Sequence, residues 1–376
     1  MKKVLIFTAS TGGGHNQAAT SLEEEFIIQG FNVTKVDALK ETSKILDLLI
    51  ADGYKVLAKN LPKLYGGLYK ISDKKRINNK VTNIITKLVR KSLYEKIKKN
   101  DPDLIIATHP FIVNVVGSLK EKNKIHIPFI SIVTDYHIHQ TYVNRNVDAY
   151  IAGSNHTKEC IIERGIPKDR IYSYGIPIRK DFLKPKLVHK NDDAFTILLM
   201  GGSMGVRSIK KVLKNLVNNK NKLRVIVVCG NNRLLQKRLK RRFKNVYKNK
   251  DIIIYGFTKK IPILMDKSDI VITKPGGLTT SEAIAKKVPM LIPYMIPGQE
   301  EENADYLVKS NMAIRVTEIN NINDIINKIT SNKEILDTMR DNMQKVASNH
   351  SMGNIIELSN RLIKDYETEW RVSYGK

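Results

Sequence analysis

The segment TASTGGGHNQAA, residues 8–19, places a histidine directly after three consecutive glycines. Glycine lets a backbone approach a ligand closely and adopt positive φ. The helix expected from Asn16 would offer free N–H groups and a positive dipole end, which favours neutral imidazole. Neutral imidazole can act as a base near pH 7. His15 is therefore either a general base or a histidine that caps the helix through a side-chain hydrogen bond.

Two familiar nucleotide-binding patterns fit this turn poorly. The dinucleotide pattern G-x-G-x-x-G is satisfied at Gly12 and Gly14, but Gln17 stands where its third glycine should be. Asp37 could act as the ribose-binding acid, although a single acid at a strand end is common. The P-loop pattern G-x-x-x-x-G-K-S/T is absent from the sequence. The turn is weak evidence for NAD binding and gives no evidence for a P-loop.

A second glycine turn lies in VITKPGGLTTSEAIA, residues 271–285. The glycines and the free N–H groups of the following helix suit a diphosphate, and the Glu282 carboxylate could accept two hydrogen bonds from a ribose diol. Downstream, Gln299, Glu300 and Asn303 cluster in PGQEEEN, where several sugar hydroxyls could be bound. Alone, this acidic run is an ordinary helix start. In series with KPGG it favours a nucleotide-sugar site.

Short apolar, β-branched runs alternate with helical stretches and predict the elements that position these residues. The first half contains a predicted helix, Asn16–Gln29, and predicted strands at Val4–Thr8, Val33–Val36, Leu104–Ala107, Phe129–Val133 and Tyr150–Ala152. The pattern stops in a linker at Ile176–Asp193, rich in proline and charge. It restarts with predicted strands at Phe195–Met200, Arg224–Cys229, Ile252–Tyr255, Ile270–Thr273 and Met290–Pro293.

This alternation predicts an α/β protein with two Rossmann-like, doubly wound domains in tandem. We expect an N-terminal acceptor-binding domain over residues 1–178 and a C-terminal donor-binding domain over 193–350. A final helix in 351–376 is expected to pack back on the first domain. Ligands of such sheets lie beyond the carboxyl ends of the strands, so the cleft between the domains is the expected site.

Composition narrows the class of protein. The sequence of 376 residues has no apolar stretch long enough to span a bilayer and begins without a recognisable secretory signal. Cys160 and Cys229 form no pair motif, as expected in a reduced cytoplasm. The 64 basic and 37 acidic residues give a net charge of +27. The excess indicates an anionic partner or a general compositional drift towards lysine.

The segment Lys55–Lys99 is strongly basic, with Asp73 and Glu95 as its only acids. Its interleaved apolar side chains suit a peripheral membrane surface, and the candidate membrane and acceptor contacts are Leu64, Tyr65, Leu68 and Tyr69. Gly66 and Gly67 argue against a continuous helix there. The alternative is a solvated basic face over an ordinary core helix. Nucleic-acid binding is not expected, because no signature for it is present.

The motifs, taken in order, resemble a known family. The sequence is similar to the monogalactosyldiacylglycerol synthases and processive diacylglycerol β-glucosyltransferases of glycosyltransferase family 28, which have the GT-B fold of two Rossmann-like domains facing a cleft. The resemblance covers nearly the whole chain through TASTGGGHNQAA, IATHPFIV, IVTDY, YGIPIRKDF, LLMGGS, GFT, KPGGLTTSEA and IPGQEEEN. The loop GGSMGVRS instead leans towards the N-acetylglucosaminyltransferases of peptidoglycan lipid-intermediate synthesis.

The resemblance implies site residues and an activity. His15 matches the histidine that acts as, or orients, the general base, and Asp135 in VTDY is a second candidate, or only a strand-end cap. The implied donor-binding residues are Gly14, Gly202, Ser203, Phe257 at uracil, Gly276, Gly277, Leu278 and Thr279 at the phosphates, Glu282 at the ribose, and Gln299, Glu300 and Asn303 at the sugar.

The implied reaction is an inverting transfer of a hexose, glucose before galactose, from a UDP-sugar to diacylglycerol, with repeated additions as an open question. The alternative is UDP-N-acetylglucosamine transfer of the peptidoglycan type. No cofactor or metal is expected. The triplet Asp101-Pro102-Asp103 is expected in a helix-to-strand connection, and His137 with His139 is a weak metal pattern. The expected location is the cytoplasmic face of the cell membrane, held peripherally on anionic lipid.

Overall fold

A computed structural model describes residues 1–9, 13–42, 61–185, 194–201, 206–243 and 250–374. The chain divides into two compact units. The first contains Met1–Arg179, Pro297–Gln299 and Asn349–Lys376, and the second contains Lys180–Ile296 and Glu300–Ser348.

The first unit is built on a parallel sheet of six strands in the order β2-β1-β3-β4-β5-β6. The strands are β1 Lys3–Thr8, β2 Asn32–Asp37, β3 Leu104–Ala107, β4 Phe129–Ile132, β5 Ala149–Ile151 and β6 Ile171–Tyr172. The helices are α1 Gly13–Ile28, α2 Ala38–Thr42, α3 Pro62–Ser72, α4 Lys75–Asn100, α5 Pro110–Glu121 and α6 Asn155–Glu163, with 3₁₀ turns at Gln140–Tyr142 and Lys168–Arg170.

Alternate residues of these strands fill two cores on opposite faces of the sheet. Leu5 and Phe7 of β1 pack in one cluster, whereas Val4 and Ile6 pack in the other. The strands are therefore buried on both faces, which explains why they appear in the sequence as continuous apolar runs. The second core also contains the last helix of the described chain, through Met352, Ile355, Ile356, Leu358 and Ile363.

The second unit also has a parallel sheet of six strands, in the order β12-β11-β10-β7-β8-β9. The strands are β7 Phe195–Met200, β8 Leu223–Val228, β9 Lys250–Tyr255, β10 Ile270–Ile272, β11 Met290–Ile292 and β12 Ala313–Arg315. The helices that follow α6 along the chain are α7 Lys180–Leu183, α8 Val206–Val217, α9 Arg233–Arg242, α10 Ile261–Asp266, α11 Gly277–Lys286, α12 Gln299–Lys309, α13 Ile322–Ser331, α14 Glu334–Ala347 and α15 Met352–Tyr374, with a 3₁₀ turn at Ile319–Asn321.

The second sheet has the strand order of the doubly wound dinucleotide-binding fold, with β7 and β10 at its centre. The predicted strands of both sheets are confirmed to within one or two residues at each end. Two short strands, β6 and β12, were not predicted. With two and three residues they are too short to show a periodic pattern in the sequence.

The prediction that Gly66 and Gly67 interrupt a helix is wrong, because α3 runs through both. A Cβ at Gly66 would lie 2.6 Å from the Cβ of Pro297, so the helix needs a residue without a side chain there. Two glycines lower helix propensity by roughly 1 kcal/mol each, and packing such as the burial of Tyr65 offsets this. The helical segment is interrupted instead at Asp73 and Lys74, between α3 and α4.

Candidate functional site

His15 stands in the first turn of α1, beside the carboxyl ends of β3 and β4. Its Nδ1 lies 2.8 Å from the Thr108 carbonyl oxygen and 2.9 Å from the Thr134 hydroxyl. The Thr108 hydroxyl donates back to the His15 carbonyl at 3.1 Å. The ring is thus bonded to residues that follow neighbouring strands. These contacts differ from the helix-capping hydrogen bond that the sequence left open.

The Thr108 contact defines the tautomer of His15. A carbonyl oxygen can only accept, so Nδ1 must carry the proton and Nε2 keeps its lone pair. Burial lowers the pKa of His15 to about 4, and the Thr108 carbonyl opposes this by favouring the protonated form. The imidazole is therefore neutral at physiological pH. Such a ring can accept a proton at Nε2.

A second histidine, His109, was missed as a site residue although it lies in the motif IATHPFIV. Its ring packs edge-on against His15, with centroids 4.6 Å apart. Its Nδ1 accepts the Phe111 N–H at 3.3 Å, so Nε2 carries the proton in the neutral ring. Burial, followed by the effect of His15, lowers the pKa of His109 well below its usual value. Its position two residues after the end of β3 is the signal that could have identified it.

Asp135 follows β4 and is 3% exposed. Its carboxylate accepts a hydrogen bond from the Gln299 side chain, and both residues belong to the first unit. The neighbouring Thr134 hydroxyl lies 3.0 Å from the Tyr142 hydroxyl. Burial, and then the charge of Asp135, raise the pKa of Tyr142. Thr134 thus links the His15 ring to a buried neutral phenol that also experiences the charge of Asp135.

The turn between β10 and α11 is held by a buried amide. Gly276 forms the N-cap of α11 in an extended conformation, and a Cβ there would meet nothing within 4 Å. The Asn303 amide donates to the Pro275 carbonyl at 3.0 Å, and its side chain is 0% exposed. The buried Asn303 side chain therefore holds the turn, and its role as a sugar contact stays a prediction.

The start of α11 carries several polar side chains. The Ser281 hydroxyl donates to the Gly277 carbonyl at 2.9 Å. The Thr280 hydroxyl is buried and has no hydrogen-bond partner among the described residues. Leu278, Thr279 and Glu282 are partly exposed. Space is open beside Gly276, and a helix N-terminus of this kind can bind anions through N–H groups that have no partner inside the helix.

Glu300 is fixed from two directions within the second unit. One carboxylate oxygen pairs with the Lys274 ammonium, and the other accepts the Ile296 N–H at 3.0 Å. The Tyr294 hydroxyl donates to the Met200 carbonyl at 2.9 Å. Burial, and then the charge of Glu300, raise the pKa of this phenol. Lys274 was not predicted, although it directly precedes the PGG turn.

Comparisons with known proteins agree with this architecture. Residues 15–178 match the family Monogalactosyldiacylglycerol (MGDG) synthase, and residues 196–356 match the Glycosyltransferase family 28 C-terminal domain. A processive diacylglycerol beta-glucosyltransferase of Bacillus licheniformis is 32% identical over 98% of this chain and 98% of its own length. The chain belongs to the glycosyltransferase family that includes these processive diacylglycerol beta-glucosyltransferases. A protein of the same description from Bacillus subtilis is 30% identical over 95% of this chain and 94% of its own.

Solved structures show the same fold for this glycosyltransferase. Acinetobacter baumannii MurG superimposes with a TM-score of 0.65 at 13% identity, covering 97% of this chain and 100% of that one. A glycotransferase of kitacinnamycin gives 0.65 at 11% identity, covering 96% and 99%. Identities this low support the GT-B fold alone. Family membership makes the chain an enzyme that depends on a UDP-sugar.

Other predicted site residues of this glycosyltransferase fall in different places. Phe257 follows β9 and is 68% exposed. Gly202 and Ser203 lie outside the described residues, and Gly14 is partly exposed in the first turn of α1. Leu64 and Leu68 are about half exposed on α3, whereas Tyr65 is buried. The ring of Tyr69 lies 4.5 Å from that of His139.

The weak metal patterns have structural roles. Asp101 caps α4 in a left-handed conformation, and Asp103 accepts the Lys3 N–H at 2.6 Å, which confirms a helix-to-strand connection. His139 lies 2.8 Å from the Thr141 hydroxyl through Nδ1. In the described part of the chain, no three histidine, cysteine or acidic residues are grouped closely enough to hold a metal ion. Independence from metal stays a prediction.

No described helix combines the length and the apolar character that crossing a bilayer requires.

Proposed function

We propose that this glycosyltransferase moves a hexose from a UDP-sugar to 1,2-diacylglycerol and inverts the anomeric centre. The observation that carries the proposal is His15, a neutral imidazole whose Nδ1–H is held by the Thr108 carbonyl and whose Nε2 keeps a lone pair. The relatives named processive diacylglycerol beta-glucosyltransferase support the acceptor and favour glucose over galactose. They also support successive additions to the growing glycolipid.

In the proposed step, His15 Nε2 takes the proton of the acceptor hydroxyl as its oxygen attacks the anomeric carbon. The bond between that carbon and the UDP oxygen breaks through an oxocarbenium-like transition state, and UDP leaves with the bonding electrons. A single displacement gives a β-glycoside. Asp135 suits the base role less well than His15, because its carboxylate is almost fully buried and engaged by Gln299.

The second unit would bind the donor. Free N–H groups at the start of α11 suit the diphosphate and would stabilise the charge that develops on the leaving group. Its proposed contacts are Gly276, Gly277, Leu278 and Thr279 with Gly202 and Ser203 at the phosphates, Glu282 at the ribose, the Phe257 backbone at uracil, and Glu300 at the sugar. Gln299 and Gly14, which belong to the first unit, stay predicted contacts of the donor. Asn303 and Lys274 would act indirectly, by fixing the turn and Glu300.

The lipid acceptor implies contact with a membrane, and α3 offers a surface for it. Leu61, Leu64, Leu68 and Ile71 are each about half exposed and recur at spacings of three and four residues, so they share one helical face. Exposed Lys63, Lys70 and Lys74 lie on or beside the same helix. Apolar side chains flanked by cations suit the interface of an anionic bilayer. We therefore place the enzyme peripherally on the cytoplasmic face of the cell membrane.

Product identification tests the activity directly. The purified protein is incubated with dispersed diacylglycerol and UDP-glucose, UDP-galactose or UDP-N-acetylglucosamine in separate reactions, and the lipid products are identified by mass and linkage. We expect β-glucosyl diacylglycerol, no product from His15→Ala on the same time scale, and no requirement for added metal. Transfer of N-acetylglucosamine alone, or an α-linked product, would contradict the proposal.

The membrane surface on α3 has a matched control in the same unit. Leu64→Ser with Leu68→Ser should reduce co-sedimentation with anionic vesicles. Ile27→Ser with Ile28→Ser removes two comparably exposed apolar side chains at the end of α1 and should leave it unchanged. Equal losses from the two pairs, or equal binding of the wild type to neutral and anionic vesicles at low salt, would remove the role of α3.

A further inference from the structure

Helix α9 carries an unusual density of positive charge within the second unit. Its ten residues, RLLQKRLKRR, include six basic side chains and no acidic one. All six are exposed: Arg233, Lys237, Arg238, Lys240, Arg241 and Arg242. Among the described residues, none of the ion pairs within 4.0 Å involves any of the six. These six charges therefore face solvent, and the described part of the chain offers them no ion-pair partner.

The orientation of α9 follows from its two core residues. Leu235 and Leu239 are buried, and Leu239 is fully so. At 3.6 residues per turn, Arg233, Lys237, Lys240 and Arg241 project from the opposite side of the helix. Leu234 lies next to this basic face and is 68% exposed. An exposed leucine beside four cations is the arrangement of a surface that meets both phosphate groups and hydrocarbon.

We propose that the outward face of α9 is a docking surface for an anionic phospholipid bilayer, separate from the apolar face of α3. The inference rests on the proposed function, since an enzyme with a lipid acceptor works where such a bilayer is present. Charge complementarity identifies the partner, and Leu234 favours a bilayer over a nucleic acid, because an exposed leucine gains nothing from a phosphate backbone.

The dense basic helix has a matched control in the same unit. Helix α8 also carries exposed lysines, and Lys237→Gln/Lys240→Gln/Arg241→Gln in α9 can be compared with Lys210→Gln/Lys211→Gln/Lys214→Gln in α8. Both variants lose three charges, so a difference between them reports position rather than net charge. None of these residues belongs to the proposed catalytic or donor-binding groups.

Vesicle flotation is the primary measurement. At low salt, each basic residue near an anionic membrane contributes about fivefold to the affinity, so the α9 variant should bind phosphatidylglycerol-containing vesicles on the order of 100-fold more weakly. The α8 variant should stay within about threefold of the wild type. Leu234→Ser should weaken vesicle binding several-fold. Equal losses in the α8 and α9 variants, or no loss in the α9 variant, would overturn the docking surface.

A duplex RNA oligonucleotide tests the competing partner. If the wild type binds it more tightly than the vesicles, and the α9 variant loses that binding while Leu234→Ser keeps it, the surface is for nucleic acid and the proposal is wrong. We expect the vesicles to be preferred and Leu234→Ser to affect them alone.

Activity assays separate this inference from the proposed function. With diacylglycerol dispersed in a neutral detergent, the α9 variant should transfer sugar at the wild-type rate. On anionic vesicles its rate should fall with its binding. Absence of transfer by the wild type in detergent would refute the proposed function, whereas equal rates of variant and wild type on vesicles would refute only the role of α9.

Discussion

The protein has two glycine-containing connections between a strand and a helix, β1–α1 and β10–α11. They are similar in local structure but present different functional groups. In each, a buried parallel strand precedes a helix that begins with a glycine, Gly13 or Gly277, and a helix start has N–H groups without partners inside the helix. The first turn presents a titratable ring, His15, tied to residues that follow β3 and β4. The second presents backbone and hydroxyl groups, and the buried Asn303 amide holds it. The difference shows that glycines at such a turn do not by themselves identify a phosphate site.

What distinguishes the turns is where their fixed polar partners point. At the first turn the partners orient an imidazole and leave its Nε2 lone pair available for a proton. At the second they hold the backbone at the start of α11, where we propose that the diphosphate binds. We therefore expect substitutions at the first turn to act on kcat and substitutions at the second to act on donor binding.

His15→Ala should have the largest effect. Removal of a general base lowers kcat by roughly 10²–10⁴-fold. UDP binding, measured by calorimetry, should stay within about twofold, because no donor contact is removed. Near-normal turnover, or a loss of UDP affinity as large as the loss of kcat, would contradict the assignment of catalysis to the first turn and donor binding to the second.

The pH profile should sharpen the assignment of the base. A histidine with its ordinary pKa of about 6.5 would be neutral in only about a tenth of the molecules at pH 5.5. Burial lowers the pKa of His15 to about 4, so kcat/KM should fall only as pH approaches 4. An acidic limb near 6.5 would contradict the structure.

Stability supplies the control for that profile, with a defined sign. Above about pH 6.5 His15 is neutral in both the folded and the unfolded chain. Between about 6.5 and 4 the unfolded chain binds the proton and the folded one does not, so the free energy of unfolding decreases as pH falls. Circular dichroism at each pH separates this loss from the loss of catalysis.

Asn303→Ala should affect the second turn, between β10 and α11. Loss of the amide leaves the buried Pro275 carbonyl without its donor and costs about 1–3 kcal/mol of stability. Because the turn loses the hydrogen bond that holds it, KM for the UDP-sugar should rise by roughly tenfold, with a smaller change in kcat. Asn219→Ala is the control: this asparagine is also buried in the second unit, but bonds Asn323 and Asn327. It should reduce stability without raising KM.

Thr134→Val should give the smallest effect. It removes the hydroxyl that contacts His15 Nδ1 and Tyr142 but leaves the Thr108 carbonyl in place. One hydrogen bond of about 0.5–1.5 kcal/mol corresponds to a roughly two- to tenfold loss of kcat. Thr368→Val, on the exposed side of α15, should leave kcat unchanged. A rise in KM for the donor without loss of kcat would assign Thr134 to donor binding.

The sequence predicted much of this molecule because parallel strands buried on both faces leave continuous apolar runs. It also singled out His15, Glu300 and both turns, since glycine and charge stand out against that background. The sequence could not show whether Asn303 holds the turn or contacts a ligand. That depends on whether its side chain is buried, and hence on how α12 packs against the turn. His109 was missed because its ring contacts His15, which lies 94 residues away in the sequence.

The helix through Gly66 and Gly67 illustrates a further limit. Local propensity argues against it, and the reason it forms lies more than 200 residues away, at Pro297. Nor could the sequence show that α9 has no ion-pair partner among the described residues, since a run of basic residues looks the same whether or not acids pack beside it.

The return of α15 to the first unit has a consequence for biogenesis. Residues 349–376 are synthesised after the entire second unit, yet their apolar side chains complete the core beneath β1. During synthesis on the ribosome, the apolar face of the first sheet that α15 covers therefore stays exposed until the second unit and α15 have been made. Such a nascent chain is a natural client for chaperones. A fragment ending near Arg179 should aggregate unless the final helix is supplied alongside it.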